Sequence, residues 1–274
     1  MNVGYLIHLE NDPYEQIREA AALGFRYGQL SVWDMAYHTE ESAERILAAC
    51  RDFSFTVTAV WCGWSGTADW RYPGMYRTLG LVPDDLREVR VKDILGGAAL
   101  AARLGVKDII THIGYLPDDP LNETRMAVVR AARHICEQIS KNGQYFLFET
   151  GEMIPTTLIQ FMTEIGLPNV GVNLDPANFV INGRANPTDA ARRLAPYIRG
   201  MHAKDALPPV GTAPKGREVK HGEGVVDFAQ IFSVLKAAGY GGSVTIEYEM
   251  KNTPDRREEL LSSKAYLENL ISSL

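Results

Sequence analysis

Phe146-Leu147-Phe148-Glu149 is an apolar run suited to a buried strand, and it ends on a carboxylate. The same form recurs at Val172-Asn173-Leu174-Asp175, Gly200-Met201-His202 and Val244-Thr245-Ile246-Glu247. The polar ends are separated by 26, 27 and 45 residues. A spacing near 26 is about one strand–helix unit of a parallel α/β fold. Parallel strands present all their C-terminal ends at one face, so Glu149, Asp175, His202 and Glu247 are expected to converge there. Three carboxylates and one imidazole suit a hard divalent ion with positions left open for a substrate. The pattern therefore predicts a metal-dependent enzyme.

Outward from this core, strands and helices alternate. Strands are predicted at Val3–His8, Tyr27–Trp33, Phe55–Trp61, Lys107–His112, Tyr145–Glu149, Val170–Asp175, Ile198–His202 and Ser243–Glu247. Helices are predicted from Asp12-Pro13 to Leu23, over Glu41–Phe53, from near Pro83 to Leu104, and over Asp119–Asn142. Others follow over Pro155–Ile165, Pro187–Leu194, Phe228–Ala238 and Pro254–Leu270, and an insert at Cys62–Leu81 interrupts the rhythm. Eight such units are the pattern of a closed (β/α)8 TIM barrel, with residues 1–274 as a single domain. An open doubly wound sheet is the alternative, but no Gly-rich fingerprint follows the first strand.

The bulk properties agree with this expectation. The 274 residues are near the roughly 250 typical of such barrels, and 46% are apolar, enough to fill a large core. A net charge of −6 without a Lys/Arg block argues against a nucleic-acid or membrane partner. Cys50, Cys62 and Cys136 are odd in number and lack metal-type spacing, as expected of free thiols in a reducing compartment. With no leader-like pattern at the start and no long apolar stretch, the cytoplasm is the expected location. A homo-oligomer is compatible with these features, which do not specify it.

FLFETGE, GVNLDPANFV, MHAKDA, KHGEGVVDF and VTIEYE, in this order, resemble the xylose-isomerase-like sugar isomerase/epimerase superfamily. The resemblance spans nearly the whole chain and is most specific from residue 145 to 250. It implies one divalent ion, often manganese or magnesium, held by Glu149, Asp175, His202 and Glu247. Cobalt suits the same donors, and zinc is compatible with them. The superfamily includes 3-epimerases, inositol-pathway isomerases and dehydratases, and endonuclease IV. Ketose 3-epimerases carry a His three residues after the metal-binding Asp and a Glu six after the first metal Glu. Asn178 and Pro155 stand at those positions, which counts against a free-ketose 3-epimerase. Asn178 is also a poor zinc ligand, which counts against the three-zinc nuclease.

The expected chemistry is isomerisation or epimerisation of a small sugar or related hydroxy-carbonyl compound through a metal-stabilised enediolate, a step in carbohydrate metabolism. Glu149 and Glu247 are the expected proton-transfer residues. A lyase or dehydratase acting on a keto-sugar or keto-inositol is the alternative, with Lys204 or His221 as the acid. A barrel that only binds a sugar is a further one, against which the intact quartet argues. Other candidates have two readings each. His112 and His8, at strand ends, either face substrate or make structural hydrogen bonds. Lys204 either donates to a substrate oxygen or pairs with Asp205. Arg217, Glu218 and His221 lie in a Gly/Pro-rich loop where barrels place substrate contacts, although a solvated loop suits Glu218 better. Trp33, Trp61 and Trp64 form either an apolar wall for a sugar ring or ordinary core.

Overall fold

Eight parallel strands close into a barrel in a computed structural model of the chain, which describes residues 1–250 and 255–274. In chain order the strands are β1 (Asn2–His8), β2 (Tyr27–Val32), β3 (Thr56–Cys62), β4 (Asp108–Thr111), β5 (Tyr145–Glu149), β6 (Val170–Leu174) and β7 (Ile198–Ala203). The short β8 (Asp205–Leu207) and β9 (Arg217–Val219) follow, then β10 (Ser243–Ile246). The barrel runs β1-β10-β7-β6-β5-β4-β3-β2, and β8 and β9 form a separate antiparallel hairpin. The helices are α1 (Pro13–Ala22), α2 (Glu40–Asp52), α3 (Met75–Thr78), α4 (Arg87–Arg103) and α5 (Glu123–Ser140). They continue with α6 (Pro155–Ile165), α7 (Pro176–Ile181), α8 (Pro187–Leu194), α9 (Phe228–Ala237) and α10 (Arg256–Ser272). The TIM barrel expected from the strand-end pattern is the fold observed. Among the described residues, no helix is long and apolar enough to cross a membrane.

Strand boundaries fall within two residues of those predicted, because β-branched and aromatic runs bounded by turn residues leave little freedom. The differences arise where local signals were short. Helix α5 begins at Glu123, not Asp119, because Asn122 accepts from the backbone N–H of Thr124 and Arg125 and caps it there. Helix α4 begins at Arg87, after Pro83. The insert holds a one-turn helix, α3, and the segment after His202 folds into a hairpin. The predicted helix start at Pro254 lies outside the described residues.

The side-chain period of two explains how one strand serves two cores. Phe146 and Phe148 point to the helices, where Phe148 meets Phe161 of α6 at a ring separation of 5.1 Å. Leu147, between them, packs inside the barrel with Ala59, Trp61 and Ile110. Glu149 shares the parity of Leu147 and so enters the barrel mouth. The same parity brings Gln29, Asn173 and His202 into hydrogen-bond contact inside the barrel.

The long loop after β3 is braced by one buried cation. Arg90 of α4 donates from Nε to Ser65 O (3.0 Å), from Nη1 to Thr78 O (2.8 Å) and Gly80 O (2.6 Å), and from Nη2 to Thr67 O (2.9 Å). Gly80 has φ +61°, and a Cβ there would meet the Ile113 carbonyl at 2.0 Å, so glycine is required where this loop crosses the next. An Arg90→Met variant leaves four carbonyls without their donor. We expect it to lose at least about 3 kcal/mol of stability, read by urea unfolding, and to be cut first between residues 65 and 80 in limited proteolysis. Wild-type stability would show that the loop holds itself.

Candidate metal centre

Each member of the strand-end quartet is placed by its own element. Glu149 closes β5, and His202 lies within β7. Glu247 follows β10 directly, its N–H donating to Ala203 O at 3.1 Å. Asp175 follows β6 and caps α7, with Oδ1 accepting from the Asn178 N–H at 2.9 Å and Pro176 opening the helix. Capping uses one oxygen and leaves Oδ2 free to face the others. Thr150 ties the two strand ends together, its hydroxyl donating to Asp175 O and accepting from Asp175 N–H, both at 2.8 Å.

One potential ligand atom from each of Glu149, Asp175, His202 and Glu247 lies within 4.8 Å of all the others, and all four residues are buried. His202 Nδ1 is 3.1 Å from Glu149 Oε1 and 3.2 Å from Glu247 Oε2. On its far side Nε2 meets Gln29 Oε1 at 2.8 Å, and the Gln29 amide donates onward to Asn173 Oδ1 at 3.4 Å. With its Nε2–H given to an amide oxygen, the ring presents Nδ1 to the carboxylates, where it would give up its proton to offer a lone pair to a bound ion. Asp175 Oδ2 and Glu247 Oε2 are buried and face the Lys204 ammonium and, for Glu247, the His202 ring. Three hard oxygen donors and one imidazole, buried within reach of one another, fit a divalent ion.

The surrounding side chains compensate the negative charge. Lys204, 2% exposed, places Nζ 2.6 Å from Glu247 Oε2, 2.8 Å from Glu249 Oε2 and 3.2 Å from Asp175 Oδ2. His112 Nε2 is 3.6 Å from Glu149 Oε1, and its Nδ1 is 2.6 Å from Glu152 Oε1. The indole N–H of Trp61 donates to Glu149 Oε2, and Asn178 Nδ2 donates to Glu149 Oε1 at 3.2 Å. Burial pushes Glu149, Asp175 and Glu247 up, and the balance depends on the neighbours. For Glu149 the imidazoles of His202 and His112 outweigh burial and hold the group below the usual range. For Glu247, Lys204 and His202 do so more strongly. At Asp175 burial, with repulsion from Glu247 and Glu149, outweighs Lys204 and raises the group to about 8. Burial alone would lower His112, but Glu152 and Glu149 raise it to about 9.

A family model described as "Xylose isomerase-like TIM barrel" matches residues 17–270. The chain belongs to the xylose isomerase-like TIM barrel family. A xylose isomerase domain protein from Planctomyces limnophilus is 29% identical, with TM-score 0.91 and 99% of each chain covered. A family protein from Mycobacterium smegmatis, solved in complex with magnesium, has TM-score 0.73 at 17% identity over 95% of this chain and 88% of that one. The 3-keto-D-glucoside 4-epimerase of E. coli has TM-score 0.75 at 18% identity over 98% and 99%. These last two likenesses are of fold. An uncharacterized protein of Bacillus subtilis is 33% identical over 113 residues, and this chain spans 36% and 64% of the first two curated relatives it matches.

Beside the strand-end quartet lies a cavity of about 390 Å³ lined by His8, Trp33, Trp61, His112, Lys204 and Glu247, among others. Trp64 lies beneath this wall, its ring 5.1 Å from Trp33 and 5.7 Å from Trp61. Two candidates are not brought there. Arg217 lies exposed on β9 and does not line the cavity. His221 turns to α10, with Nδ1 3.0 Å from Ser263 Oγ and its ring against Phe228. The Gly-rich loop turns His221 away because its backbone wraps a different residue. Asp205 accepts from the N–H groups of Ala206, Gly222, Gly224 and Val226, so it is not the partner of Lys204. Glu218 is half-buried and accepts from the Glu249 N–H, in place of the solvated position expected of it.

Gln29, Glu152 and Glu249 were not legible as site residues. Gln29 had a usable signal, being a polar residue at inward parity within the apolar strand YGQLSV. Replacing it by Leu leaves His202 Nε2 and Asn173 Oδ1 without partners. We expect Gln29→Leu to lose roughly 2–4 kcal/mol in denaturant unfolding, and a loss below the error of that measurement would show that His202 is held by its other contacts.

Proposed function

We propose that this chain is a divalent-metal-dependent isomerase or epimerase acting on a small sugar or related hydroxy-carbonyl compound. The observation that carries this reading is the buried quartet beside a polar and aromatic cavity, which Glu247 lines. Glu149, Asp175, His202 and Glu247 would hold the ion, with manganese, magnesium and cobalt suiting their donors best and zinc compatible. Such an ion supplies Lewis-acid polarisation of a carbonyl and so acidifies the adjacent C–H.

The chain's own groups do the rest. Glu149 or Glu247 takes the proton from the carbon beside the carbonyl, and either returns one to the same or the other face. Gln29 keeps the His202 ring turned so that Nδ1 faces the ligands. The indoles of Trp33 and Trp61 exclude water and offer a flat apolar surface to the ring. His112, oriented by Glu152, and Lys204 are placed to hold substrate oxygens. A second reading, a lyase or dehydratase on a keto-sugar or keto-inositol, draws on Lys204. Its buried ammonium stands 2.6 Å from Glu247, so an acid able to protonate a departing hydroxyl adjoins a base able to take the α-proton. Equal mass of substrate and product separates isomerisation from loss of water. A small-molecule substrate and a cytoplasmic setting belong to the same proposal.

The purified protein is expected to hold about one divalent ion per chain and to melt at lower temperature after chelation, because binding to the folded state alone stabilises it. Elemental analysis finding no metal, together with an Asp175→Ala variant of unchanged melting temperature in added Mn²⁺, would end the metal reading.

Turnover in D₂O is expected to place deuterium on the carbon beside the carbonyl. Glu149→Gln and Glu247→Gln should each reduce turnover by about 10²–10⁴, with metal content measured in parallel. Wild-type turnover in both metal-loaded variants would remove these carboxylates from proton transfer.

A further inference from the structure

The loop after β3 leaves three large aromatic side chains in water. Trp70, Tyr72 and Tyr76 are 38%, 59% and 41% exposed, although Arg90 anchors the loop beneath them. Clustered exposed apolar surface beside a cavity marks a binding face more often than scattered residues do. Two lines of ring contacts lead from the candidate site to these residues, one to Trp70 and one to Tyr76 and Tyr72. Trp70 lines the cavity, and its ring is 5.2 Å from that of His112. Tyr115 also lines the cavity, and Tyr76 lies 4.4 Å from it. Tyr72 extends the series outward, 6.1 Å from Tyr76. The aromatic wall begun by Trp33 and Trp61 therefore continues past the mouth.

Polar groups flank the same path. Arg184 stacks over Tyr115 at 5.0 Å and Tyr76 at 5.9 Å, with Nη2 3.4 Å from the Tyr76 hydroxyl. Lys215 lines the cavity and donates to the Trp70 carbonyl at 3.3 Å. Aromatic faces with donors at their edges match a sugar ring, which presents C–H groups on its face and hydroxyls around its rim. The cavity's roughly 390 Å³ falls in the range of about 300–1,000 Å³ typical of small-molecule sites, and Tyr76 and Tyr72 lie outside its lining.

The geometry points to a second-ring subsite formed by Trp70, Tyr76 and Tyr72, so that the substrate is a glycoside whose outer sugar stacks there, not a free monosaccharide. This rests on the sugar reading above and names its substrate class. Trp70 serves both rings, whereas Tyr72 and Tyr76 serve the outer one.

The test is calorimetric titration of the Mn²⁺-loaded protein with cellobiose, lactose, maltose and trehalose, and with glucose and galactose. At least one disaccharide is expected to bind about tenfold more tightly than either monosaccharide, the scale that ring stacking supplies. In a Tyr72→Ala/Tyr76→Ala double variant that advantage should vanish, with monosaccharide affinity changed less than about twofold. Equal wild-type affinity for both kinds of sugar overturns the subsite and leaves the sugar reading standing. Binding of no sugar overturns both. An equal loss for both kinds of sugar in the variant overturns the subsite, as does tighter binding of 4-nitrophenyl glucoside than of any disaccharide. A variant that changes oligomeric state in sedimentation while sugar binding is unchanged also overturns it, and makes the rim an interface between copies.

Discussion

Three carboxylates buried within 4.8 Å of one another cannot all keep their charge without cations packed among them. Charge removed from water costs several kcal/mol per ion even after relaxation, and like charges add to that cost. The mouth of the barrel is organised around meeting this demand. Lys204, just after β7, lies between Asp175 and Glu247, His202 contacts Glu149 and Glu247, and His112, just after β4, approaches Glu149. Even so, Asp175 remains raised to about 8. The arrangement is short of positive charge, which is what a resident divalent ion would supply.

The scaffold holds this cluster from several sides. Inside the barrel, the Gln29–Asn173 pair lies behind His202 where most barrels place apolar layers. Next to Lys204 in sequence, Asp205 gathers four backbone N–H groups and anchors the loop after β9. On the opposite side Arg90 ties down the aromatic loop through four carbonyls. Both anchors use a charged side chain against several backbone groups, a pairing stronger than neutral hydrogen bonds. The segment that Arg90 holds carries Trp70, whose carbonyl accepts from Lys215, so the two loops meet at the cavity wall.

Strand period and strand-end chemistry made much of this legible in advance. Because alternate residues enter the barrel, an apolar run ending on Glu149 or Glu247 specifies both a strand and an inward carboxylate. Helix starts were legible where Pro and an Asp or Asn cap coincide, as at Asp12-Pro13 and Asn186-Pro187. Tertiary structure alone decided which polar groups meet. Gln29 reaches His202 across 173 positions, and His112 meets Glu152 from a different strand end. Lys204 chooses Asp175, Glu247 and Glu249 over its chain neighbour Asp205, and His221 turns outward to Ser263. The physical reason is one of range. Periodicity reports which face a side chain occupies, a local property of the backbone, whereas pairing depends on barrel closure, which brings distant strands into register and leaves each buried charge to find its partner across the chain.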